Sequence, residues 1–483
     1  MAGNSSAIVN KIWNYCNVLR DDGVSYGDYL EQLTYILFLK MADEKEALNE
    51  GQLNLIPKKY NWQSLRKESG EALEIKYNAI LRELQKEKGM IGHIFLKAQN
   101  KIQDPAKLSR LIQMIDAESW TEMDTDVKSE IYEGLLEKNA SDVKGGAGQY
   151  FTARDLIWAI VQCIRPEPGK TFADPASGTG GFFLGTYRYL KSLKLDRKQL
   201  QFLRLNTFFG WEIVPNARRM CLMNLFLNNI GDFNSEPPVF LGDALTSKPK
   251  ESFDYVLTNP PFGKKSSITV TNEEGEKQSL TYNREEFWTT TANKQLNFLQ
   301  HIVNMLKIGG QGAVVLPDNV LFEGGAGETI RKRLMQDADL HTILRLPTGI
   351  FYAQGVKANV LFFEYKGSSK QIHTKDIWFY DLRTNMNFSL KTNSIGKDDF
   401  ADFIKCYNPE NRHRRKESER FKKYSYDEII KRDKTSLDIF WLKDDSLSDM
   451  DNLPDPDILA KEIIINLEDA LDNFREVIDS ESP

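Results

Sequence analysis

The apolar positions of this chain fall into two regimes. Up to about residue 140 they recur at helical spacing. Ile8, Ile12, Cys16 and Leu19 share one face, as do Leu30, Leu33, Leu37 and Met41. Leu108, Ile112 and Ile115, then Ile131 and Leu135, continue the pattern. β-rich runs are scarce there, so a helical region with a solvated, charge-mixed outer face is expected. From residue 171 onward, short β-rich runs alternate with helical ones. Strands are predicted at 171–176, 206–213, 239–244, 253–258, 311–316, 342–346, 360–365 and 377–380. Helices are predicted at 155–165, 182–193, 197–205, 215–228, 296–307 and 328–335. This alternation predicts an α/β fold. The stretch 263–294 is poor in core residues and reads as a mobile loop. Beyond 381 the pattern weakens. It returns in an apolar stripe at Ile458, Leu459, Ile463, Leu467, Leu471, Phe474 and Ile478, which predicts a terminal helix. Three domains follow from this reading: 1–140, 141–400 and 401–483.

Composition changes the picture little. A chain of 483 residues, 41% hydrophobic and 27% charged, has ample core for two or three soluble domains. No apolar run approaches the roughly 20 residues of a membrane span. The first residues lack a basic and apolar leader, so a cytoplasmic protein is expected. Cys16, Cys163, Cys221 and Cys406 lie far apart, and the five histidines form no motif, so neither disulfides nor a metal site is expected. The net charge of −6 is unusual for a protein that binds DNA alone. If DNA is the substrate, the basic residues are clustered or a partner carries much of the binding.

Candidate chemistry concentrates in Asn259-Pro260-Pro261-Phe262, directly after the predicted strand 253–258. Two prolines end a strand and hold the next backbone extended. The loop therefore presents one amide and one aromatic ring at a strand's carboxyl end, where open α/β sheets bind ligands. Methylation of an exocyclic amine suits it. The Asn259 oxygen and the Pro260 carbonyl could each accept an amine hydrogen, favouring the pyramidal nitrogen of the transition state. Phe262 could stack on a base taken out of the helix. A proline-rich turn that merely closes a strand is the bland alternative.

A second signal follows the strand 171–176. Ser177-Gly178-Thr179-Gly180-Gly181 is a tight turn before a helix, the arrangement that lets a ligand approach backbone N–H groups. No Lys-Ser/Thr pair follows, and Phe183 stands where a dinucleotide fingerprint has its third glycine. A nucleoside-like cofactor without a pyrophosphate is therefore expected. Asp174, Glu212 and Asp243 stand at three successive strand ends. Glu212 suits ribose hydroxyls and Asp243 an adenine amine, although each acid alone is more often a cap. Ahead of them, a Gly-rich connector leads into Gln149-Tyr150-Phe151-Thr152-Ala153-Arg154, with Thr152 a plausible helix cap. Phe351, in a later loop, fits either a stacking role or core packing.

Together, the 149–154 segment, Asp174-Pro175-Ala176-Ser177-Gly178-Thr179-Gly180-Gly181-Phe182 and Asn259-Pro260-Pro261-Phe262 resemble the modification subunits of type I restriction-modification systems. Those are gamma-class N6-adenine DNA methyltransferases. The resemblance covers nearly the whole chain; Ala153 departs from it, relatives often having proline there. It implies a Rossmann-like, S-adenosylmethionine-dependent methyltransferase domain, preceded by an α-helical N-terminal domain and followed by a C-terminal helical tail. It further implies that residues 149–154 close over the cofactor, that Ser177, Gly178, Thr179 and Gly180 line it, and that Glu212 holds its ribose. The implied partners are DNA, a specificity subunit bound by two methyltransferase subunits, and a restriction subunit. Methylation of RNA or of protein glutamine, and a non-catalytic defence subunit, are the alternatives.

Two charged stretches complete the reading. Residues 411–424 carry seven Lys/Arg against two acids, which suits either phosphate contacts or a solvated surface. Residues 441–483 hold thirteen acids and three bases. The acidic, proline-containing segment before the terminal stripe reads as a tether, and the stripe as a surface for a specificity subunit.

Overall fold

The computed structural model describes the chain except residues 1, 21–22, 49–55, 119, 121–124, 143–151, 263–267, 272–276, 281, 283, 352–355, 387, 390–392, 444–455, 458–459, 461–462, 465–466 and 468–483. It divides into two compact units. The first holds Met1–Ile157, Arg165–Thr246 and Phe253–Thr258; the second holds Trp158–Ile164, Ser247–Ser252 and Asn259–Pro483.

The first unit begins with helices α1 (Ala2–Arg20), α2 (Tyr26–Leu48), α3 (Trp62–Arg66), α4 (Gly70–Leu84), α5 (Gly89–Ile94), α6 (Pro105–Asp116) and α7 (Thr125–Asp142). Every residue of the predicted N-terminal stripes is buried. Capping sets the boundaries: Asp104 accepts from the Ala106 amide, and Pro105 supplies the fixed φ of a first helical turn. Next comes α8 (Arg154–Ile164), whose last seven residues belong to the second unit.

Four parallel strands follow, β1 (Phe172–Asp174), β2 (Phe208–Glu212), β3 (Val239–Leu241) and β4 (Phe253–Thr258), in the order β4-β1-β2-β3. They are connected by α9 (Gly181–Ser192), α10 (Arg197–Leu205) and α11 (Pro215–Leu227). Parallel strands need such crossovers, and their two covered faces explain why β1 and most of β4 are apolar and buried. Helix α11 packs against α2, α5 and α7. From it, the buried Arg219 donates to the carbonyls of Ile94 and Leu96, both at 2.8 Å, and pairs with Glu31 at 2.8 Å. One arginine thus fastens three N-terminal segments to the parallel strands.

The second unit opens with an antiparallel hairpin, β5 (Ile268–Thr271) and β6 (Lys277–Leu280). Strands β7 (Leu306–Pro317), β8 (Ala338–Arg345), β9 (Ala358–Tyr365), β10 (Asp376–Asp381) and β11 (Phe421–Ser425) run in the order β11-β10-β8-β9-β7. Only the β8–β10 pair among them is parallel. Helices α12 (Lys294–Met305), α13 (Asn319–Phe322), α14 (Ala326–Asp337), α15 (Ala401–Tyr407) and α16 (Tyr426–Ile430) complete it. Among the described residues, no helix is long and apolar enough to cross a membrane.

Two sequence expectations change here. The stretch 263–294 is not a bare loop. Besides the hairpin, Tyr282 and Phe287 are buried, and the Trp288 indole donates to Asp337 at 3.1 Å. The run Ile268-Thr269-Val270-Thr271 is wholly β-branched, a strand signal that the surrounding polarity obscures. The basic run 411–424 is not simply a surface stretch: Arg414, Lys416 and Lys423 are exposed, but three of its arginines are engaged by the fold. Arg415 is buried and donates to the Tyr407 carbonyl at 2.6 Å and to the Thr342 hydroxyl at 2.8 Å. Arg412 pairs with Glu364 at 3.1 Å, and Arg420 donates to the carbonyls of Asp381 and Thr384. Buried carbonyls need donors, and a long cationic side chain reaches them while its stem packs.

Arg415→Ala is therefore expected to destabilise the protein by about 2–4 kcal/mol, because it strands buried acceptors. Its exposed neighbour Lys416 should change to Ala within about 0.5 kcal/mol. Chemical denaturation of the two variants checks this; equal stabilities would return the run to the surface.

Candidate active site

Strand β1 ends in Asp174, only 1% exposed. Its Oδ1 accepts from the Thr258 hydroxyl at 2.6 Å and from the Ala176 amide at 3.0 Å. Burial, the largest influence, pushes this carboxyl up to about 7; those hydrogen bonds oppose it and the charge of Glu212 adds to it. Beyond Pro175 the chain turns sharply. The Ser177 amide and hydroxyl both donate to the Trp211 carbonyl of β2, at 3.0 and 3.1 Å. Gly178 and Gly180 take φ of +52° and +85°. A Cβ on Gly180 would stand 2.8 Å from the Cys221 sulfur, so that position excludes every side chain on two counts. The Thr179 carbonyl accepts from the Asn224 amide at 2.8 Å.

Glu212, 5% exposed at the end of β2, reaches this turn. Its Oε2 accepts from the Gly178 amide and its Oε1 from the Val214 amide, both at 2.8 Å. The structure thus brings together Asp174, Ser177, Gly178, Thr179, Gly180 and Glu212. Asp243 follows β3 and accepts from the Leu245 amide at 2.9 Å, capping a single turn of 3-10 helix. The predicted strand 239–244 is therefore shorter, because Asp243 starts that turn.

Of the 149–154 segment, Gln149, Tyr150 and Phe151 lie outside the described residues. Thr152 and Ala153 are half-buried ahead of α8, and the Ala153 carbonyl accepts the Ile157 amide at 3.1 Å. Arg154 pairs with the buried Glu133 of α7 at 2.9 Å. Glu133 also holds Arg188 of α9 at 2.9 Å, and Ser129 beside it accepts from Asn228. The segment is thus tied at its carboxyl end to helices that pack on the glycine turn.

The chain passes directly from Thr258 of β4 to Asn259. In the second unit, Pro260 is buried, Asn259, Pro261 and Phe262 are half-buried, and the Asn259 side-chain oxygen is shielded from solvent. The Phe262 ring meets the buried Phe351 edge to face, with centroids 5.4 Å apart and planes at 87°. Sequence reasoning singled out Phe351 without placing it. It missed Thr258 and Glu133 altogether, since their value is visible only in their partners.

The family model for N-6 DNA methylases matches residues 123–439, and that for the HsdM N-terminal domain matches residues 8–115. The type I restriction enzyme StySJI methylase subunit of Salmonella typhimurium is 39% identical over 97% of this chain and 94% of its own length. The chain belongs to this family. The crystal structure of the EcoKI M protein superposes with a TM-score of 0.55 at 33% identity, covering 99% of this chain and 96% of that one. A chain from a structural study of type I complex assembly gives 0.73 at 25% identity, with 99% of each covered. Adenine-N6 methylation of DNA is accordingly supported over RNA or glutamine methylation and over a non-catalytic subunit. The family's methyltransferases depend on S-adenosylmethionine.

In this type I methylase chain, Gly178→Val is expected to raise the Kd for S-adenosylmethionine on the order of 10-fold or more, because a β-branched residue resists a positive φ. Titration calorimetry on the folded variant measures it. Unchanged affinity would remove the cofactor from this turn.

Proposed function

We infer that the chain transfers a methyl group from S-adenosylmethionine to the N6 amine of adenine in DNA, using the turn after β1 for the cofactor and the loop after β4 for the base. One observation carries this assignment of roles. The two segments leave the carboxyl ends of neighbouring parallel strands, paired at Phe172 with Tyr255 and Ala173 with Val256. The residues present suit the cofactor. The positive φ at Gly178 and Gly180 makes a turn without side chains in the way. A carboxylate oxygen that accepts from one amide can accept again, so Glu212 can hold ribose hydroxyls. Ile213 beside it is 53% exposed and offers an apolar surface to a purine ring. Asp243 would accept from the adenine amine, Ser177 and Thr179 would line the methionine side, and residues 149–154 would close over it. Bound there, S-adenosylmethionine supplies an electrophilic methyl group on a sulfonium centre.

Asn259 and Pro260 then orient the target amine. Their oxygens accept its two hydrogens and favour the geometry in which the nitrogen lone pair is available. Phe262 receives the flipped base, while its edge-to-face contact with Phe351 holds that ring in place. We read the chain as cytoplasmic, with two copies joined to a specificity subunit that reads the DNA, and a restriction subunit added to them. The tail supports the subunit contact. Its described helical residues Ile463, Ile464 and Leu467 are 57%, 53% and 63% exposed, apolar side chains that a partner surface could cover.

Asn259→Ala should keep cofactor affinity and lower kcat on the order of 100-fold or more, since the lost acceptor works chiefly in the transition state. Asn259→Asp retains an acceptor and should fall between. Steady-state assays of the assembled enzyme decide the point; near-normal turnover in the alanine variant would overturn the catalytic assignment.

Deleting residues 455–483 should leave cofactor binding intact and weaken assembly with the specificity subunit, along with sequence-specific methylation. Size-exclusion chromatography of the truncated chain with that subunit reads it out. Undiminished stoichiometry and affinity would place the tail in this chain's own core.

A further inference from the structure

Thr258 and Asp174 occupy the last positions of β4 and β1, 0% and 1% exposed. The Thr258 hydroxyl donates to Asp174 Oδ1 at 2.6 Å, and the same oxygen accepts the Ala176 amide at 3.0 Å. One buried carboxylate oxygen thus fastens the residue before Asn259 and the entry to the glycine turn. The pairing of β1 with β4 does not require a hydroxyl there. Its register is carried by Phe172 with Tyr255 and Ala173 with Val256, one residue short of Asp174 and two short of Thr258. Valine has nearly the shape of threonine, and a buried polar group costs free energy that packing alone would not incur. Dihedral freedom at Thr258, by contrast, moves everything that hangs on the next peptide, beginning with Asn259. Amide acceptors for an amine must be placed within a few tenths of an ångström.

We propose that Thr258 is a positioning residue for methyl transfer: its hydrogen bond to Asp174 fixes the backbone from which Asn259 departs, at the strand end that also carries the cofactor turn. This rests on the roles assigned above to Asn259 and to the turn. Thr258 touches neither substrate nor cofactor in this scheme. Its contribution belongs in kcat and not in cofactor affinity.

The test uses the full chain assembled with its specificity subunit, in the variants Thr258→Val, Thr258→Ala, Thr258→Ser and, as a control, Asn259→Ala. Both Thr258→Val and Thr258→Ala are expected to lower kcat by about 10–100-fold, the range of one hydrogen bond to a charged group. Their Kd for S-adenosylmethionine should stay within about threefold of the parent, as should the KM for DNA. Thr258→Ser restores the donor and should recover kcat to within about threefold of the parent. Normal kcat in Thr258→Val alongside an inactive Asn259→Ala overturns this proposal and leaves the catalytic loop standing. So does a parallel loss of kcat, cofactor affinity and thermal midpoint, which marks a merely structural bond. Equal impairment of the serine and valine variants does the same, since the hydroxyl would then be irrelevant. An active Asn259→Ala removes the reading beneath the proposal and the proposal with it.

Discussion

Two carboxylates removed from water hold the functional end of the parallel strands. Ionised groups are costly to bury unless their acceptor capacity is used. Asp174 meets that condition with the Thr258 hydroxyl and the Ala176 amide, and Glu212 with the amides of Gly178 and Val214. Each acid therefore does what a β-sheet ladder cannot do beyond its last residue: it ties one strand's exit to the next. The glycine turn keeps its shape because these bonds and the packing of Gly180 on Cys221 leave it no alternative. With S-adenosylmethionine bound there as proposed, the surface would already be formed, so little binding energy would be spent on ordering.

The same logic reaches the helical N-terminal region. Glu133 stands on α7, yet its partners are Arg154, at the start of α8, and Arg188, on the helix that the glycine turn opens. Arg219 of α11 is bonded to α5, the residues after it and α2. Glu133 and Arg219 are buried, hydrogen-bonded charges, the kind whose partners are expensive to remove singly. A region that the hydrophobic pattern describes only as a helical packing domain is thereby bonded to the helices that flank the glycine turn.

How far the sequence was readable follows from the range of the forces involved. Strand β4 was legible to the residue because two prolines end it, and α10 because an Asp196–Gln199 capping box starts it. The glycine turn was legible because positive φ selects glycine. The Arg154–Glu133 ion pair and the Arg415–Thr342 hydrogen bond were not, since they join residues 21 and 73 positions apart and nothing local marks them. Strand β11 was hidden for a related reason. Its two adjacent lysines, Lys422 and Lys423, break the alternation between Phe421 and Tyr424 on an edge strand, where charge protects against unwanted pairing and masks the strand's own signal.

Charge shows the same separation between what is local and what is global. The net −6 suggests a chain poorly suited to DNA. Burial does not alter that balance, because among the described residues the buried charged ones are five arginines and six acids. Position along the chain does. Residues 441–483 carry thirteen of the 69 acids and three of the 63 bases, so residues 1–440 hold 60 bases against 56 acids. The acidity belongs to the tail. A polyanionic segment is repelled by phosphate at any ionic strength low enough for DNA binding to be strong. Segregating the acids there leaves residues 1–440 mildly basic, the balance that a chain acting on DNA requires.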